Sequence, residues 1–269
     1  STDSGDTWAM MDNFPANFYV TDIHEIRATG TLLVAAQSHL YERNDGGIWR
    51  KDASSPAFER VSAQPTFTLM ALANGKILAT HPRDAARSIS FSAEDGKTWS
   101  FSGALPWKAG AVPFYTCSAM VGDTIVVAGL TRLQGGFSNN TDSQFFKSTD
   151  QGTAWEEIAQ PTKMDQDAMP KDRMAILGDP QESDLMYVAG NAGAFAWRVH
   201  VEKGEWIKMW DRPDVVDGSI AHGDCRNYLW DAESDRLLLV SDGGIFAREL
   251  PRKQGGRWVS LNGDYASLE

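Results

Sequence analysis

Three short stretches bring acids and bases together along the chain: Asp22, His24 and Glu25; Asp172 and Arg173; and His222, Asp224 and Arg226. Two carboxyl groups about 5–9.5 Å apart can hydrolyse a glycosidic bond, one as acid and the other as base or nucleophile. A neighbouring guanidinium keeps one carboxylate ionised, and burial raises the other. On that reading Asp22, Asp172 and Asp224 are the expected catalytic carboxylates. His24, Glu25, Arg173, His222 and Arg226 are the expected ligand contacts. The plainer alternative is that these side chains are solvated or paired with one another. His222 and Asp224 also look like two metal ligands, but a site needs more than two. No metal and no cofactor is expected.

The elements that must position these residues are read from a repeat. Ser1-Thr2-Asp3-Ser4-Gly5-Asp6-Thr7-Trp8 recurs as Ser148-Thr149-Asp150-Gln151-Gly152-Thr153-Ala154-Trp155 and, with Glu94 for Asp, as Ser92 to Trp99. The pattern S-x-D-x-G-x-x-W suits a hairpin turn. The short Asp side chain accepts backbone N–H bonds, and Gly96 or Gly152 supplies a positive φ. The Trp opens the next strand and covers the turn. Ser1, Asp3, Gly5, Trp8, Gly96, Trp99, Ser148, Asp150, Gly152 and Trp155 are therefore expected to serve turns at the periphery. Weaker copies end at Phe58, Trp206 and Trp258.

The anchors Trp8, Phe58, Trp99, Trp155, Trp206 and Trp258 are spaced by 50, 41, 56, 51 and 52 residues. A unit of about 50 residues holding four short strands is a propeller blade. The expected fold is all-β, a β-propeller of four-stranded antiparallel blades forming one domain over 1–269. Five full blades are expected, at about 19–62, 63–103, 110–159, 170–209 and 220–261, with 1–12 as an extra outer strand. Inner strands are expected to open near Ile23, Thr68, Tyr115, Arg173 and Arg226, which would set the three polar stretches at the channel mouth. Leu130–Ser143, rich in Gly and Asn, reads as a long loop. The orphan strand 1–12 calls for the remainder of a larger ring or for another chain.

Composition limits the partners. Net charge is −11, the wrong sign for a face that neutralises phosphates, so nucleic acid is not expected. No run of about 18 apolar residues suggests a membrane span. Cys117 and Cys225 are the only cysteines and read as buried free thiols rather than a framework. The chain opens without Met. Either a targeting segment has been removed or the sequence is part of something longer, and a secreted or extracytoplasmic location is favoured. Trp107, Trp210 and Tyr265 could stack on sugar rings, though Trp107 is better placed to pack between blades.

Ser1–Trp8 and its copies resemble the Asp-box (BNR-repeat) superfamily, which includes sialidases, xyloglucanase-type glycoside hydrolases, sortilin-type propellers and photosystem-assembly propellers. Ser241-Asp242-Gly243-Gly244-Ile245-Phe246 with Trp258-Val259-Ser260-Leu261-Asn262-Gly263 looks most like the xyloglucanase and sortilin types. His222-Gly223-Asp224-Cys225-Arg226 is similar to an H-x-D-x-H stretch of bacterial relatives, with Arg226 in place of the second His. The sialidase R-I-P motif is absent. Xyloglucan-cleaving relatives place one catalytic Asp in each of two propellers. The resemblance implies two roles. One is a non-catalytic scaffold or binding module for a protein or glycan partner, which is the expectation here. The alternative is a xyloglucanase-like glycoside hydrolase using channel-mouth carboxylates.

Overall fold

The computed structural model describes residues 6–9, 14–15, 17–38, 45–93, 95–102, 104–133, 141–160, 174–190, 196–209, 225–253 and 256–263. These residues form twenty strands in five four-stranded sheets, and each sheet is an antiparallel meander in chain order. Sheet 1 holds β1 (Phe18–Ile26), β2 (Thr31–Ser38), β3 (Gly46–Lys51) and β4 (Glu59–Ser62). Sheet 2 holds β5 (Thr68–Ala71), β6 (Ile77–Thr80), β7 (Ile89–Ser92) and β8 (Trp99–Phe101). Sheet 3 holds β9 (Ala111–Val121), β10 (Thr124–Leu133), β11 (Thr141–Ser148) and β12 (Glu156–Glu157). Sheet 4 holds β13 (Met174–Gly178), β14 (Leu185–Gly190), β15 (Ala196–His200) and β16 (Glu205–Lys208). Sheet 5 holds β17 (Asn227–Asp231), β18 (Arg236–Ser241), β19 (Gly244–Arg248) and β20 (Trp258–Ser260).

The chain divides into two compact units. Ser1–His81 with Ser90–Ser100 forms one, and Pro82–Ile89 with Phe101–Glu269 forms the other. In the first unit Leu33, Ala35 and Ile48 of sheet 1 pack on Leu69, Ile77 and Ala79 of sheet 2. The opposite face of sheet 1 presents Val34, Ala36 and Trp49, which Phe14, Phe18 and Phe58 cover.

The second unit shows why its middle strands are apolar without a break. Met186 and Val188 of β14 join the core shared with sheet 3, whereas Leu185, Tyr187 and Ala189 join the core shared with sheet 5. Successive side chains point to opposite faces, so a strand covered on both sides must be apolar at every position. Sheet 5 differs. Leu237 and Leu239 face sheet 4, while Leu238 and Val240 on the other face are only half-buried.

Three sheets are tied to the next by one recurring device. Arg50, Lys147 and Arg198 each sit near the end of a third strand and donate to a main-chain carbonyl in the turn between the third and fourth strands of the following sheet. The acceptors are Asp95 O at 2.8 Å, Val201 O at 3.4 Å and Arg252 O.

The Ser148–Trp155 turn forms as its sequence requires. Asp150 Oδ1 accepts from Ser148 Oγ at 2.8 Å and from the N–H groups of Thr153 at 3.0 Å and Ala154 at 2.9 Å. Those bonds hold the Asp150 carboxyl below the ordinary carboxylate range. Trp155 Nε1 closes the turn on Gly152 O at 3.1 Å, and Trp99 Nε1 does the same on Gly96 O at 3.0 Å. Trp8 behaves otherwise. It is 81% exposed, and residues 6–9 form no strand. Ser1, Asp3 and Gly5 lie outside the described residues, as does the rest of the expected outer strand apart from 6–9.

Leu130–Ser143 is not one long loop. β10 runs to Leu133 and β11 starts at Thr141, so both ends of the stretch are paired strand, from Leu130↔Ser143 to Arg132↔Thr141. Leu130, Thr131, Ser143 and Gln144 are all buried, so packing keeps the hairpin going where Gly and Asn content suggested a loop. Cys117 and Cys225 are buried and not joined in a disulfide, and burial pushes the Cys117 thiol far up. Trp107 packs edge-on against Phe146 at 4.8 Å and donates to Ser88 Oγ at 2.6 Å, so it is not a stacking platform.

Candidate functional site

The inner strand of sheet 1 carries the first polar stretch. β1 begins at Phe18, five residues before the expected Ile23, because Phe18 lies against Trp49 at 4.9 Å and pairs with Ser38. A bulge between Val20 and Asp22 breaks the alternation that would have marked those residues as strand. The entry of the strand therefore shows exposed Tyr19 and Val20. Asp22 falls mid-strand, and His24 and Glu25 sit near the exit, beside the turn into β2.

Asp22 is occupied in holding two strands together. Its Oδ2 accepts the Leu69 N–H of β5 at 2.7 Å, and its Oδ1 accepts the Ile23 N–H at 2.8 Å. Thr21 makes a parallel tie by donating to Thr66 O at 2.7 Å. Burial is the largest influence on the Asp22 carboxyl and raises it. The two N–H donors and nearby His24 act in the opposite direction. His24 is lowered by burial, with Asp22 opposing, which favours a neutral imidazole at neutral pH.

His24 and Glu25 line a cavity of about 320 Å³ with Arg27, over an apolar floor of Ile26, Ala71 and Ile77. Asp22 does not line it. Residues three apart in a strand point to opposite faces, so Asp22 and Glu25 do not form a facing carboxylate pair. Among the described residues Glu25 is the only carboxylate lining this cavity.

The raised carboxyl of Asp22 has a consequence for stability. Just above the ordinary value of 3.8 the folded chain keeps a proton that the unfolded chain has lost. The site's contribution is thus fully present below that value and is lost as pH rises through the raised one. Thermal melts from about pH 3 to pH 7 are expected to show this decline as a fall in the stability of the native chain relative to an Asp22 variant that cannot ionise. Asp22→Asn, which mimics the protonated form, is that variant.

Of the fifth-sheet stretch, Arg226 is described. It immediately precedes β17, donates its N–H to Val240 O at 2.8 Å, and its Nε donates to Asp242 Oδ1 at 2.7 Å. It is at the entry of an inner strand, as expected, and is paired with a carboxylate that sequence reading passed over. Asp172, Arg173, His222 and Asp224 lie outside the described residues, as do Trp210 and Tyr265. Among the described residues no group of three or more His, Cys, Asp or Glu side chains could hold a metal ion, and no helix is long and apolar enough to cross a membrane.

The two halves of the fifth-sheet motif meet. Asn262 Oδ1 accepts the Ile245 N–H at 2.7 Å, and its Nδ2 donates to Gly243 O at 2.7 Å. Gly244 has φ +104°, and a Cβ there would stand 2.1 Å from Asn262 Oδ1. The D-G-G and L-N-G signatures are thus one device that pins the end of β20 to the start of β19.

No family model and no curated protein matches this chain. Solved structures do. The GH74 enzyme of Niastella koreensis aligns over 86% of this chain and 36% of its own length, at 14% identity and TM-score 0.59. The GH74 xyloglucanase of Xanthomonas campestris aligns over 91% of this chain and 38% of its own length, at 16% identity and TM-score 0.58. The fold is a β-propeller. An α-L-arabinanase of Penicillium chrysogenum, solved with arabinobiose, covers 94% of this propeller chain and 83% of its own length, at 10% identity and TM-score 0.55. The propeller described here spans well under half the length of either GH74 enzyme.

Sequence reading missed two features of the site region. The Arg226–Asp242 pair had a signal, since both residues lie in quoted motifs, but their meeting depends on the β17–β18 register. The cavity beside Glu25 had none, because it exists only where the β1–β2 and β5–β6 hairpins lie side by side.

Proposed function

We propose that this chain is a glycan-binding propeller module that does not hydrolyse its ligand by itself, built on the Asp-box plan of the xyloglucanase and sortilin types. One observation carries the non-catalytic part. Asp22 is the only described carboxyl pushed upward, as a general acid requires, and both its oxygens are taken by main-chain N–H groups. Glu25, the carboxylate in the neighbouring cavity, has no second carboxylate among the described lining residues, and two are needed. The glycan part draws support from two of the structural neighbours, a xyloglucanase and an α-L-arabinanase solved with arabinobiose. A fold hosts many functions, so the test is direct. In native affinity electrophoresis the chain should be retarded by xyloglucan or arabinan in the gel and unaffected by a charged polymer such as heparin. Equal mobility in every gel would reject the reading.

The alternative is a glycoside hydrolase whose carboxylates include Asp172 and Asp224. Arg226 beside Asp242 favours it in one respect, since a paired guanidinium at a strand entry is a usual companion of an ionised carboxylate. Release of reducing ends by the native chain, abolished in Asp172→Asn or Asp224→Asn, would establish that reading instead.

A further inference from the structure

A second cavity, of about 530 Å³, lies in the other compact unit where three turns converge: β13–β14, β17–β18 and β19–β20. Its volume is within the range of roughly 300–1,000 Å³ that holds small ligands. Three acids line it, Glu182, Asp235 and Glu249, with three bases, Arg236, Arg252 and Lys253. Charges so balanced give a charged ligand no net attraction, and the chain's overall −11 repels anions. Carboxylate acceptors alternating with guanidinium and ammonium donors instead match a neutral ligand rich in hydroxyls, each of which both donates and accepts.

The cavity is preorganised. Asp179 has a fully buried side chain and accepts from Tyr187 Oη at 2.6 Å and from the N–H groups of Gln181 at 2.8 Å and Glu182 at 3.0 Å. It holds Arg252 through an Nε–Oδ2 ion pair of 2.8 Å. Arg252 Nη1 reaches Asp235 at 2.8 Å, and the guanidinium lies 4.7 Å from the centre of the Trp230 ring. The lining is thus fixed before any ligand arrives, which reduces the ordering cost of binding.

The backbone marks the same place. Four non-glycine residues among those described have positive φ: Arg83, Gln151, Asp235 and Leu250. Asp235 and Leu250 both line this cavity. Asp tolerates that conformation, but Leu250, at φ +52° and 58% exposed, receives no burial to offset the strain. Its conformation is held by the turn, where the Lys253 N–H donates to Leu250 O at 2.9 Å, and backbone outliers so held cluster at functional sites. Here it presents Leu250 at a polar cavity, where it can meet the apolar face of a sugar ring.

We infer that this three-turn cavity is a binding subsite for a neutral saccharide of about two residues, with Glu182 and Lys253 among its hydroxyl contacts and Leu250 beneath the ring. The inference rests on the glycan-binding reading and adds the place. The test is calorimetric titration of the full chain with arabinobiose and with a xyloglucan heptasaccharide. Glu182→Ala and Lys253→Ala, neither of which carries the Asp179–Arg252 pairing through its side chain, are each expected to weaken binding about tenfold or more. Glu59→Ala, on the exposed strand β4 away from both cavities, is expected to leave affinity unchanged. Unaltered affinity in both cavity variants, with the native chain still binding, would overturn the subsite and leave the glycan reading standing. No heat from the native chain with either sugar would remove both.

Discussion

Arg252→Met is expected to lower the free energy of unfolding by about 3–5 kcal/mol, the cost of leaving a buried charge without its partner. The partner is Asp179, whose side chain is 0% exposed while that of Arg252 is 15% exposed. Removing the guanidinium leaves a carboxylate with the Tyr187 hydroxyl and two main-chain N–H donors but no counter-charge. It also detaches the β19–β20 turn from Asp235. The double variant Asp179→Asn with Arg252→Met should cost clearly less than the sum of the single changes, because the second removes the charge that the first stranded. Urea denaturation of the four proteins measures this. A loss below about 1 kcal/mol in Arg252→Met, the range of an exposed ion pair, would show that the network contributes little.

Gly178→Ala is the second large effect, expected at about 3 kcal/mol or more. A Cβ at Gly178 would stand 1.8 Å from the carbonyl oxygen of Met120 and 2.9 Å from its carbon. Gly178 ends β13 and Met120 lies in β9, and these inner strands of sheets 4 and 3 are in contact. The obstructing atoms are main chain and cannot swing aside, so either the strands part or the side chain is forced off its place. Gly110→Ala is the comparison: φ is +78° with nothing within 4 Å, so only the left-handed penalty of about 1–2 kcal/mol applies. Thermal melts should rank the two variants in that order.

The fold was legible in the sequence because it is written five times. The recurring anchors from Phe58 to Trp258 and the unbroken apolar runs such as Leu237–Val240 place four strands in every unit, and β14 and β18 begin and end where those runs do. Departures came where one unit differs from the rest. Phe18 belongs to β1 because it covers Trp49, a tertiary reason that no periodicity shows, and the bulge at Asp22 hides the alternation. The third-strand bases Arg50, Lys147 and Arg198 each follow an aromatic residue, Trp49, Phe146 and Trp197. Their role depends on a carbonyl some 45–54 residues further on.

The site was less legible than the fold. Asp22, His24 and Glu25 were singled out for their chemistry, yet the strand's pleat separates Asp22 from Glu25, and main-chain donors claim Asp22. The three-turn cavity draws its lining from polar stretches that no sequence motif singled out, Asp231–Arg236 and Glu249–Lys253. Their convergence is a property of packing between sheets 4 and 5.

The most direct test of a binding module that does not hydrolyse is ligand-observed NMR of a xyloglucan heptasaccharide mixed with the native chain. Saturation transfer to the sugar reports binding, and new anomeric signals report cleavage in the same spectra. Saturation transfer with an unchanged anomeric region over a day is the predicted result. New reducing-end signals, or no transfer to this sugar or to arabinobiose, would contradict it.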